Sequence, residues 1–426
     1  MHSVRRDLGL LRDRRFALLL AARTISVLGS GFAPVALAFG VLGLPGATPT
    51  TLSVVLTAEA LPMIAFMLVG GVIADRLPRN RVMMAGEGLN AAAYSCLAVM
   101  MLTGWTPIPG LVTAAAVSGI STAIFFPALT GIVPDVVPAE RLQTANALLG
   151  LGSNISRVAG LVLSGAAVVL IGAGWSLAIS GAMFAVAAVL VAALRLASTE
   201  RAATAERHSV LADLRDGWRE FSSRQWLWVV VAQFSIMVIA MQAAHGVLGP
   251  LVAKESLGGA PAWSAVLAGE AVGMIAGILV TLRLRPRRPI LVATLLTLPT
   301  ALPYLLLGAA APLWTVVASA VVMGICFDIF GVLWNTTMQR EVPPEALSRV
   351  SSYDALGSLM FGPVGLMLAG PVAISVGPRP ALLGCAAIVA VVSLLALLSP
   401  GVRNLRAPRD EPGTAVPDAA PAEAGA

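Results

Sequence analysis

Long apolar runs, each interrupted by a short polar or glycine- and proline-bearing interval, set the plan of this chain. They fall near residues 16–42, 51–74, 82–103, 108–133, 147–171 and 175–197, and again near 226–248, 263–282, 289–309, 313–338, 350–376 and 380–400. Each is close to the ~20 residues a helix needs to cross the hydrocarbon core of a bilayer. The runs are continuous, whereas strands of a membrane barrel would alternate apolar and polar residues. The pattern predicts an all-α polytopic membrane protein of twelve transmembrane helices. Residues 16–197 form one six-helix bundle and 226–400 a second, joined by a polar interval at 198–225. Segment 1–15 and the tail 401–426, rich in Pro, Ala, Glu and Asp, are expected to lie outside the membrane, the tail without fixed structure.

A repeat relates the two bundles. At a shift of 205 residues, Val137-Pro138 matches Val342-Pro343, Gly152-Ser153 matches Gly357-Ser358, Gly160-Leu161 matches Gly365-Leu366, and Gly165 matches Gly370. Between residues 137 and 165 there are eleven ungapped identities over 29 positions, more than biased composition supplies. Both copies run in the same direction across the membrane, so the halves are parallel, pseudo-symmetric repeats about an axis along the membrane normal.

Composition narrows the class. Hydrophobic residues make up 58% and charged residues 12%, against about 25% charged in soluble domains, which excludes a soluble enzyme. The net charge of +6 would fit a nucleic-acid partner, but position decides otherwise. With both termini in the cytoplasm, 24 of the 28 basic residues fall in cytoplasmic segments and only Lys254 and Arg379 outside. That is the positive-inside asymmetry of a multi-pass plasma-membrane protein. Cys96, Cys326 and Cys385 have no metal or redox spacing, and no metal or cofactor site is predicted. The single lysine, Lys254, sits between Ala253 and Glu255, so there is no phosphate-binding loop and no use of ATP is expected.

The interval between the second and third runs reads Gly70-Gly71-Val72-Ile73-Ala74-Asp75-Arg76-Leu77-Pro78-Arg79-Asn80-Arg81. With Gly71, Asp75, Arg76, Arg79 and Arg81 it resembles the signature loop of the major facilitator superfamily, Pro78 replacing the usual Gly. Phe125-Phe126-Pro127-Ala128, Val133-Pro134-Asp135 and Gln339-Arg340-Glu341-Val342-Pro343 are similar to its enterobactin-exporter-like and macrolide-efflux-like branch. The resemblance implies a monomeric transporter that exports a small amphipathic molecule, a drug, macrolide or siderophore-like compound, in exchange for protons. An uptake symporter on the same scaffold is the alternative; a membrane enzyme or sensor finds little support, because the acids within the spans are scattered. It also implies that Asp75 latches onto the start of the eleventh span, expected near Ser351-Ser352. Many drug–proton antiporters carry an Arg in the fourth span and a Gly-Pro pair in the fifth; this chain has neither, although Gly362-Pro363 stands in the eleventh.

Ionisable residues inside spans are costly and face protein or water. Arg23, Glu59, Arg157, Glu270 and Asp328 lie deep, whereas Glu87, His245 and Asp354 are expected near span ends, in contact with solvent. The resemblance implies that spans 5 and 8 are neighbours across the halves, and with the similar depths of Arg157 and Glu270 this predicts a pair between them; Arg23 and Asp328, whose depths agree less well, are the second candidate pair. Glu59, Glu270 and Asp328 are the candidate proton carriers. In the family, spans 1, 4, 7 and 10 line the cavity. That makes Ser26, Ser30, Ser118, Ser121, Phe125, Gln233, Met237, Met241, Gln242, Trp334 and Asn335 the candidate lining, a surface suited to an amphipathic substrate.

Overall fold

The computed structural model describes residues 8–138, 141–194 and 218–406. Most of the predicted interdomain interval, and all but the first residues of the predicted tail, lie outside them. Among the described residues there is no strand. Ten helices are long and apolar enough to cross a membrane. One of them, Leu142–Ala192, has 51 residues and breaks at Gly172, where φ is +84°. Its two arms fold back, because Gly31 meets Gly160 while its near neighbour Gly29 meets Ser180. Arg79–Thr103, 25 residues long, completes the set. In chain order the twelve crossings are α1 (Arg14–Leu42), α2 (Pro49–Arg76), α3 (Arg79–Thr103), α4 (Ile108–Val136), α5 and α6 (142–171 and 173–192), α7 (Gln225–Leu257), α8 (Ala260–Thr281), α9 (Pro289–Gly308), α10 (Leu313–Glu341), α11 (Pro344–Leu359, continued by Gly362–Val376) and α12 (Pro378–Leu398). A further short helix, Pro400–Asn404, opens the segment expected to lack structure.

Local chemistry sets the ends. Asp13 Oδ1 accepts from the Arg15 N–H at 2.8 Å and starts α1. Thr48 and Thr51 cap α2 reciprocally, each satisfying an N–H that the first helical turn leaves free. Gly104 closes α3 in the left-handed region, φ +71°. Three boundaries differ from expectation. α2 continues to Arg76, so Gly71, Asp75 and Arg76 are helical positions, and the connection shrinks to Leu77-Pro78. Leu77 is extended, as a residue preceding proline prefers. α11 starts at Pro344, which leaves Ser351 and Ser352 inside the helix and not at its cap; the interruption comes at Met360-Phe361, just before Gly362-Pro363. α7 does not stop at 248. Two wide π-turns, Ala244–Leu248 and Ala253–Leu257, carry it past Pro250 to Gly258, the local adjustment by which a membrane helix accommodates a residue lacking an N–H.

Each half packs by close crossings at small residues. In the first half, a Cβ added at Gly119 on α4 would stand 2.0 Å from the Glu59 carbonyl oxygen on α2. In the second, a Cβ at Gly324 on α10 would stand 2.1 Å from the Glu270 carbonyl oxygen on α8. The shift is again 205, so the same crossing is built twice. Gly324→Ala must push α8 away, and overpacking of this kind costs roughly 1–3 kcal/mol. We expect a lowered thermal unfolding midpoint in detergent; a midpoint equal to that of the parent would refute the crossing.

The halves meet at the end remote from the arginine-rich connections. There Gly165 on α5 packs against Ala260 and Ser264 on α8, and Gly370 on α11 against Thr50 and Ser53 on α2. These are symmetry-related contacts, made by the matched glycines of the repeat. Lys254 also donates to the Leu42 carbonyl, tying the end of α7 to the end of α1.

Candidate functional site

Between the halves lies a cavity of about 670 Å³. Its walls obey a second repeat, one that sequence reading missed. At a shift of 211 residues, Ser53, Val55, Leu56, Glu59, Ala60, Met63, Ile64 and Ala65 of α2 match Ser264, Val266, Leu267, Glu270, Ala271, Met274, Ile275 and Ala276 of α8. That is eight identities in thirteen positions. Leu56, Glu59, Ala60 and Met63 line the cavity from one side, and their four counterparts line it from the other. Glu59 and Glu270 therefore occupy equivalent places, ten residues in from the first residues of α2 and α8, about 15 Å along each helix.

Each acid has a tyrosine nearby on the third helix of its half, Tyr94 or Tyr304, at a shift of 210. In the first half the contact is direct. Tyr94 donates to Glu59 Oε1 at 3.2 Å, and Ser118 donates to the same oxygen at 3.0 Å. In the second half a histidine intervenes. His245 Nε2 lies 3.0 Å from Glu270 Oε2, and its Nδ1 lies 3.1 Å from the Met241 carbonyl and 3.2 Å from the Tyr304 hydroxyl. The carbonyl can only accept, so it places a proton on Nδ1 and leaves Nε2 and Oε2 to hold one proton between them. Gln242, His245 and Gly246 line the cavity where Pro34, Leu37 and Ala38 line it from α1, a constant shift of 208. Leu37 is the residue that corresponds to His245 in the first half.

The predicted pairs are replaced. Glu270 takes His245, and among the described residues Arg157 makes no ion pair with it. Arg157 and Arg23 both line the cavity, and Arg23 lies within electrostatic reach of Glu87 and of Arg157. Asp328 does not reach Arg23. Its Cβ sits against Gly277 on α8, and its Oδ2 is buried without a hydrogen-bond partner. Depth alone cannot show which way a helix face turns, and α10 turns this position toward its own half. Glu87 is 2% exposed and not solvated. Asp354 accepts from the Trp334 indole at 3.0 Å. His245 is far from a span end because α7 runs twelve residues beyond it.

Of the candidate lining, Ser26, Ser30, Ser118, Phe125 and Gln242 face the cavity. The others do not. Ser121 donates to the Gly86 carbonyl. Gln233 donates to Thr297 and Ser393 inside the second half. Met237 is fully buried and Met241 packs on the same core. Trp334 stacks on Phe330, and Asn335 is exposed and donates to the Gly331 carbonyl. At the basic end, Arg79 pairs with Asp135 at 3.3 Å and Arg81 is exposed. The side chains of Gly71, Asp75 and Arg76 lie outside the described residues, and so does any latch they make.

Curated relatives match almost end to end. The multidrug efflux pump Tap of Mycolicibacterium fortuitum is 24% identical over 91% of this chain and 96% of its own length. The macrolide efflux protein A of Streptococcus pyogenes is 22% identical over 85% and 90%. An uncharacterised MFS-type transporter, YfiS of Bacillus subtilis, is 24% identical over 91% and 94%. Among solved structures, the nucleoside transporter NupG superposes with a TM-score of 0.73 at 14% identity, covering 90% of this chain and 98% of its own. A POT family transporter in complex with 5-aminolevulinic acid gives 0.73 at 14%, with 92% and 97% covered. These structures speak to the fold alone. The family model "Major Facilitator Superfamily" matches residues 16–363; with two repeated six-helix halves closing over a charged central cavity, this chain is a multi-pass membrane transporter belonging to that superfamily.

Proposed function

We propose that this protein exports a small amphipathic molecule across the plasma membrane by alternating access, driven by protons entering in exchange. The observation that carries the reading is the pair of acids, Glu59 and Glu270, at equivalent positions in one cavity between two halves closed at one end. In this reading the arginine-rich connections and both termini lie in the cytoplasm, as the positive-inside rule requires, and the closed end faces outward. The apolar wall of Leu56, Leu267, Trp263 and Leu366 suits the apolar body of the substrate. The Glu270–His245 pair carries the coupling proton: occupied, it is neutral overall, and release of its proton leaves a charge that favours a different packing of the halves. Relatives named as multidrug and macrolide efflux proteins support the direction of transport.

The test is flux in proteoliposomes under an imposed pH gradient, with a panel of amphipathic drugs and siderophores. Gradient-dependent movement of at least one compound, opposite to the proton gradient, is expected. Movement with the gradient would identify a symporter, and no gradient-driven flux of any compound would refute the reading.

A further inference from the structure

We propose that Arg23 and Arg157 form an anion-binding subsite in the N-terminal wall of the cavity, so that the exported amphiphile carries an acidic group such as a carboxylate. This deepens the transport reading above and rests on it. The argument starts from where the two halves stop matching. The acids and tyrosines are shared, but Arg23 corresponds to Val231 at the shift of 208, and Arg157 to Gly362 at the shift of 205. Glu87 and Asn90 likewise correspond to Thr297 and Thr300 at the shift of 210. Among the described residues, arginines stand on the cavity wall only in the N-terminal half.

Two guanidinium groups in a membrane cavity are expected to be paired if their role is structural. Neither makes a contact ion pair: among the described residues no acidic oxygen stands within 4.0 Å of either, and Glu87 acts on Arg23 only from beyond that distance. Both face the same cavity, Arg157 is exposed to it, and the two repel each other. An oxyanion between them would relieve that repulsion and accept from both forks. Next to them, Glu87 Oε2 and Asn90 Oδ1 are buried acceptors without a partner, and both residues line the cavity. They provide for a hydroxyl or amide N–H flanking the acidic group. Arg23 lies nine residues into α1, about 13 Å from the basic end, whereas Glu59 and Glu270 lie about 15 Å from the opposite end. Arg23 therefore enters the cavity near its basic end, whereas Arg157, fifteen residues into α5, lies about 22 Å along that helix.

A matched pair of dyes tests this. Rhodamine 110 has a free carboxyl; rhodamine 123 is its methyl ester, with the same aromatic body. Binding to the full-length protein in nanodiscs is read by fluorescence polarisation. The parent protein should bind the acid more tightly than the ester. Arg157→Gln, and separately Arg23→Gln, should weaken the acid about tenfold, the loss of one charge-assisted hydrogen bond, and leave the ester unchanged. Equal affinity for the two dyes, equal weakening of both, or binding of neither overturns the subsite. Acid-selective binding without gradient-driven flux would sink the exporter reading and keep the subsite. Gradient-driven flux that ignores both arginines would do the reverse.

Discussion

Glu270→Gln is expected to abolish accumulation of substrate against its gradient while leaving substrate counterflow intact. The amide has nearly the shape of the carboxylic acid and still offers a hydrogen-bonding group to His245 Nε2, 3.0 Å from the present oxygen, so the fold and the cavity wall should stand. What disappears is the oxygen that can take and release a proton. Uphill transport needs that cycle; exchange of substrate for substrate does not. His245→Gln should show the same split, because it removes the other half of the shared-proton pair. Glu59→Gln is the internal comparison. It occupies the equivalent position, but two hydroxyls, Tyr94 and Ser118, donate to one of its oxygens, whereas Glu270 faces an imidazole that can exchange a proton with it. Uphill transport should survive in this variant. Loss with Glu59→Gln and survival with Glu270→Gln would move the coupling site to the first half.

The fold was legible because it is written in lengths. Bilayer thickness fixes the span, and arginine placement fixes the loops, so counting apolar runs gave twelve crossings without knowledge of any contact. The placement of Arg157 and Glu270 inside spans was legible for the same reason. Their partner was not. A face assignment assumes a constant turn angle, and the two π-turns of α7 change it around His245. Gly249-Pro250 also reads as a helix end, which moved His245 from mid-helix to a supposed margin. The errors at Gln233, Trp334 and Asn335 share a cause: a polar residue on a family's cavity-lining helix has several faces open to it, and here they bond within their own half. The signal that would have found the site was present in the chain. Matching Glu59 with Glu270 at a shift of 211, and Tyr94 with Tyr304 at 210, marks the acids as a repeated device. The leftover residues, Arg23, Arg157 and His245, then stand out as departures from the repeat.

The repeat also says where the molecule must open. Gly165 and Gly370 close the far end through the same pair of contacts, each against the start of the second helix of the opposite half. A Cβ at Gly165 would stand 2.6 Å from the Ser264 Cβ, shorter than the separation of about 3.5–4.5 Å that a disulfide prefers. The bond therefore forms with the halves parted by about 1 Å, a far smaller movement than release of a substrate needs. With Cys96, Cys326 and Cys385 replaced by alanine, the double variant Gly165→Cys with Ser264→Cys should transport when reduced, stop completely when oxidised, and recover with reductant. Neither single variant should respond to oxidant. Gly370→Cys with Ser53→Cys should behave the same way, because the two contacts are symmetry copies and either bond holds the far end shut. Full transport by a quantitatively crosslinked protein would show that the far end never parts, and the substrate would then need a route that does not pass between the halves.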